Sequence, residues 1–83
     1  MKQSKPNIKA IQAILNDKSI CGYNDKRQNG GRIKLISRLS HMVQRKLETA
    51  LAIQYPDYQI ACGNIIWRRC YITTAIHFKL KRA

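Results

Sequence analysis

Trp67, Arg68 and Arg69, followed at one remove by Tyr71, set two aromatic rings beside two guanidinium groups. Aromatic rings stack on unpaired bases and guanidinium groups bind phosphate, so this grouping suits a nucleic acid with accessible bases. On a regular strand Trp67, Arg69 and Tyr71 share one face, and Arg68, Cys70 and Ile72 share the other. If Ile72 turns toward the core, Trp67 turns away from it. The competing reading places Trp67, the only tryptophan, inside a small core.

Two further groups of cations have a spacing that chemistry can use. Lys34, Arg38, His41 and Arg45 fall at i, i+4, i+7 and i+11, one stripe on a helix extended back to Lys34. Guanidinium groups in such a stripe can follow phosphates about one helical turn apart. Lys26, Arg27 and Arg32 flank Asn29-Gly30-Gly31, where backbone amides and cations converge and paired glycines let the chain approach a phosphate. The candidate nucleic-acid-binding set is therefore Lys26, Arg27, Arg32, Lys34, Arg38, His41, Arg45, Trp67, Arg68 and Arg69. Lys79, Lys81 and Arg82, with His77 on the Lys79 face, extend the basic surface toward the C-terminal end.

The inventory for catalysis is thin. Asp17, Asp25, Glu48 and Asp57 are the only carboxylates, and no two are spaced to build a two-metal nuclease site. His41 or His77 could act as acid or base in a metal-independent ribonuclease, with Arg or Lys neutralising the phosphorane-like charge. That economy resembles, in composition alone, the small basic toxins of bacterial toxin–antitoxin pairs. Cys21, Cys62 and Cys70 are odd in number and form no CxxC, which reads as unpaired thiols in a reducing cytoplasm. A zinc set of Cys62, Cys70 and His77 is disfavoured, because odd spacing along one strand puts Cys70 and His77 on opposite faces. No metal and no cofactor are expected.

The elements that must position these groups follow from periodicity. Ile8, Ile11 and Leu15, with Ala10 and Ile14, form a helical stripe, so a first helix is expected over 5–17 with Ser4 as its cap and Pro6 in its first turn. Residues 19–23 form a short strand before an exposed loop over 24–31, and 32–36 reads equally as its partner strand or as the start of the second helix. A second helix is expected over 38–55, with Leu39, Met42, Val43, Leu47, Ala50 and Ile53 in an apolar arc of about 140° and Pro56 as its stop. Then comes β structure: Gly63-Asn64 as a hairpin turn, a bulge or corner at 67–69, and Ile72, Thr74, Ile76, Phe78 and Leu80 on one strand face. The expected fold is a single α+β domain over 1–83, with helices packed on one face of an antiparallel sheet. The element order is α-β-β-α-β-β or, without the first hairpin, α-α-β-β.

Charge then narrows the function. Sixteen Lys and Arg against four Asp and Glu give +12 on 83 residues, an excess that raises a folded domain's own energy and points to a polyanionic partner. The cations are interleaved with apolar residues, unlike the like-charge blocks of a disordered arm. The leading expectation is a non-enzymatic domain binding DNA or RNA; a nucleoprotein or other acidic partner is the wider class. The alternatives are a small inhibitor or adaptor of the phage or mobile-element kind, bound to a nucleic-acid-handling protein, and the ribonuclease above. The longest apolar runs are four residues, such as Ala50–Ile53, and no leader pattern is visible, so no membrane role and a cytoplasmic location are expected.

Overall fold

Asn7 starts the first helix: the Ala10 amide donates to its side-chain oxygen at 2.9 Å, satisfying one of the free amides of the first turn. The computed structural model describes residues 5–67 and 71–81. Helix α1 spans Ile8–Leu15 and stops at Asn16, whose left-handed backbone (φ 52°, ψ 46°) returns its amide to the turn above. It is shorter at both ends than expected, and the expected cap Ser4 lies outside the described residues.

Strands β1 (Gly22–Arg27) and β2 (Gly30–Leu35) replace the expected loop. Only Gln28 and Asn29 turn, between the paired Arg27 and Gly30. The sequence hid β1 because it is an edge strand, so polar side chains can occupy both of its faces. The glycine pair is used for packing within the sheet. A Cβ at Gly30 would run into the Phe78 carbonyl oxygen, and one at Gly31 would stand 2.9 Å from the Phe78 ring. Lys5 fastens the N-terminal arm here, donating to the carbonyl oxygens of Arg27 (2.9 Å) and Gly30 (3.3 Å).

Residues 36–40 are an extended connection and not helix. The Ile36 amide donates to the Cys21 carbonyl, the Thr74 amide to the Ser37 carbonyl, and the Leu39 amide to Thr74 Oγ1. Helix α2 therefore begins three residues later than expected, at His41, capped by Ser40, and runs His41–Gln54. Its buried line is Gln44, Leu47 and Leu51, rotated by roughly a third of a turn from the expected arc. Met42 and Ile53, expected in the core, are 83% and 77% exposed. Polar anchoring explains the rotation. Gln44 Nε2 donates to the Leu39 carbonyl and to Asn64 Oδ1, and Glu48 Oε2 accepts from the Cys62 amide on the sheet. A wheel that counts apolar residues cannot see these bonds.

Strands β3 (Tyr58–Trp67) and β4 (Tyr71–Leu80) form one long antiparallel hairpin running straight through Gly63-Asn64, the expected turn. The sheet order is β1-β2-β4-β3. Both helices cover one side of it: Ile11, Leu47 and Leu51 pack on Ile33, Leu35 and Ile76, all without solvent exposure. Tyr58 meets Phe78 edge-on at 5.8 Å at the end of this core. The α-β-β-α-β-β order and the one-sided helix layer are as expected, and α-α-β-β is excluded.

Candidate nucleic-acid interface

Directly opposed residues of antiparallel strands share a face, so the register sorts every strand residue to the helix side or the other. Ile33, opposite Ile76, which is opposite Cys62, marks the helix side. Three rows cross the other side from edge to edge. They read Tyr23-Lys34-Ala75-Gly63, Asp25-Arg32-His77-Ala61 and Arg27-Gly30-Lys79-Gln59. Both helices pack on the opposite side; on this one Ala75 is buried, while Tyr23, Arg27, His77 and Lys79 are exposed.

Four cations, Arg27, Arg32, Lys34 and Lys79, thus stand together on one open sheet surface. Asp25 is the one acid in the three rows, and it accepts from Arg27 Nη2 at 3.2 Å and Arg32 Nη2 at 3.4 Å. The Arg27 hydrogen bond, aided by the charges of Arg27, Arg32 and Lys34, holds the Asp25 carboxyl below its ordinary range. Arg32 Nε is shielded from water and has no hydrogen-bond partner. Partial burial, then repulsion by Arg32 and Arg27, lowers the pKa of His77 from its ordinary value, so the imidazole is neutral at neutral pH. Space of about 980 Å³ surrounds this end of the sheet, bordered by Arg27, Arg32, Gln59 and His77 on the open side and by Ala52, Tyr58 and Phe78 on the helix side. The paired strands divide it, so it is two shallow surfaces and not one cavity.

The structure brings three of the expected site residues, Arg27, Arg32 and Lys34, onto this face. Lys34 therefore does not belong to a helix stripe: it lies in β2, which ends at Leu35 before the extended connection. Arg38 lies in that connection, and His41 and Arg45 are exposed on α2, on the helix side of the sheet. Lys26 is exposed and opposes Gly31, which assigns it to the helix side as well. Trp67 ends β3 opposite Tyr71; its side chain, Arg68 and Arg69 lie outside the described residues. Tyr23 and Asp25 join the face unforeseen, and Lys79 with His77, expected to extend the basic surface, stands on it too. The signal for the first two was the alternation Tyr23, Asp25, Arg27 leading into a two-residue turn.

Burial, reinforced by Glu48, pushes the Cys62 thiol up to about 12, so it is no nucleophile at neutral pH. Cys62 and His77 point to opposite sides of the sheet, which separates two members of the disfavoured zinc set. No group of three or more His, Cys, Asp and Glu is placed to hold a metal ion among the described residues. Likewise no described helix is long and apolar enough to cross a membrane. His41, on α2, and His77, on the open sheet face, stand on opposite sides of the sheet. No family model matches the chain, and no curated protein or solved structure matches it either. Fold and site define a small α+β domain with a helix-covered sheet face and an open, cationic one.

Proposed function

We propose that the protein is a non-enzymatic nucleic-acid-binding domain that lays its open sheet face against the phosphate backbone. The observation that supports this is the gathering of Arg27, Arg32, Lys34 and Lys79 on the side no helix covers, opposed by Asp25 alone. Burying or crowding like charge costs energy, and a polyanion relieves that cost by releasing its counterions on binding. The flat face presents the cations in adjacent rows, about 4.8 Å apart from strand to strand, where one backbone can meet several of them. His41 and Arg45, on α2, lie on the other side of the sheet and add to the long-range field.

Fluorescence anisotropy with labelled oligonucleotides and a salt titration tests this. With four or five phosphates engaged, log K falls against log salt with a slope of roughly −3 to −4. No binding at about 50 mM salt, or a slope near −1, overturns the proposal and leaves a protein-binding inhibitor or adaptor as the reading to pursue.

A further inference from the structure

Resting on that reading, we infer that the open face takes single-stranded nucleic acid, with bases stacked on Tyr23 and Tyr71 and the connecting phosphates held by Arg32, Lys34 and Lys79. Both rings belong to this face: Tyr23 opposes Lys34, and Tyr71 lies four residues along β4 from Ala75. They are 59% and 48% exposed. The Tyr71 hydroxyl donates to the Ile36 carbonyl oxygen at 2.9 Å, which fixes the ring before any base arrives and lowers the entropy lost on stacking. Two strands across and four residues along separate the rings by roughly 16 Å, so one strand can stack a base on each with further nucleotides between.

On β3, beside the strand that carries Tyr71 and at the edge away from Tyr23, the surface is low. A Cβ built at Gly63 meets nothing within 4 Å, and its neighbour in the next row, Ala61, is exposed. A planar base can therefore approach the sheet beside the cations. A duplex fits this face poorly. Four strands are about 14 Å wide before side chains are added. The major groove, about 12 Å wide, admits a helix or a two-stranded ribbon. A duplex on this face would offer phosphates only and leave both rings idle.

The test is anisotropy with fluorescein-labelled oligouridylate, oligothymidylate and a mixed-sequence DNA duplex at about 100 mM salt. Single strands are expected to bind roughly ten-fold or more tighter than duplex, and a preference between the two single strands in either direction supports the inference. Tyr23→Ala and Tyr71→Ala should each cut single-strand affinity by about 5- to 100-fold and change duplex affinity less than about two-fold. Tyr71→Phe should retain most of it. Tyr23→Leu and Tyr71→Leu keep apolar bulk on the strand without a stacking ring, so they should keep the melting temperature and still weaken single-strand binding; they decide the matter if an alanine variant unfolds. Equal affinity for duplex and single strands, with the Tyr variants neutral, overturns this inference and leaves the phosphate-binding function standing. Binding to none of the three overturns both.

Discussion

At the scale of single residues, His77 is the group whose chemistry changes most within reach of physiological pH. Its folded pKa lies below the ordinary 6.5 because it is partly buried and because Arg32 and Arg27 repel the imidazolium. The unfolded chain therefore takes up the proton first as pH falls. Stability from this group is complete above about 6.5 and declines as pH drops from there toward the folded pKa. Binding follows the opposite sign. Phosphates on the same face offset the repulsion and favour the imidazolium, so affinity should rise between about pH 7.5 and 5.5 with proton uptake. Asp25 stays ionised across this window, because its own pKa is lowered by Arg27. His77→Gln should flatten both profiles, read by anisotropy and thermal melting at the two pH values. A wild-type affinity that is unchanged or falls on acidification contradicts the placement of phosphate beside His77.

At the scale of elements, the orientation of α2 rests on a polar cluster beneath it. Asn64 Oδ1 accepts from Gln44 Nε2 and from Thr74 Oγ1, both at 3.0 Å, while Thr74 Oγ1 accepts from the Leu39 amide at 2.8 Å. These bonds join α2, β3, β4 and the connection before the helix. Buried polar groups left without partners are costly, so Gln44→Ala should destabilise the fold by about 1–3 kcal/mol, more than an exposed position would. Met42→Ala, on the exposed side of the same helix, should cost under about 0.5 kcal/mol. Urea denaturation of the two variants checks this, and a larger loss at Met42 would restore the apolar arc that periodicity predicts. Glu48 has a related role. Its carboxylate accepts from the Cys62 amide at 2.9 Å, covering an outward-pointing group of the β3 edge that another strand would otherwise pair with.

At the scale of the whole molecule, cations among the described residues stand on both sides of the sheet, Arg27, Arg32, Lys34 and Lys79 on one and Arg45 and Lys46 on the other. The radius of gyration, 12.2 Å, is that of a compact chain of this length. Removing two positive charges from either side changes the net charge equally, so a difference between the two sides isolates contact from the long-range field. Arg32→Ala with Lys34→Ala should weaken binding by about 1–3 kcal/mol. Arg45→Ala with Lys46→Ala, removing exposed groups of α2 on the helix side, should cost under about 1 kcal/mol. Anisotropy with one oligonucleotide at one salt concentration makes the comparison, and the reverse order would move the interface to α2.

The sequence by itself determined the fold class, both helices, the alternation of β4 and the polycationic character. These depend on local periodicity, on Pro56 ending a helix and on composition, none of which needs a distant partner. The three rows of the open face depend on which strand lies beside which. Arg32 meets His77 across 45 positions of chain through pairing that no local pattern encodes. The same reason explains the errors. Asn24–Arg27 looked like a loop because an edge strand tolerates polar residues, and Gly63-Asn64 looked like a turn because its pairing with Ala75 and Thr74 is non-local. For Lys34 the local pattern fitted strand and helix equally, and only the pairing of β2 with β1 and β4 placed it. Tertiary structure decided which cations share a surface, because a one-residue change in register would send each side chain to the opposite face.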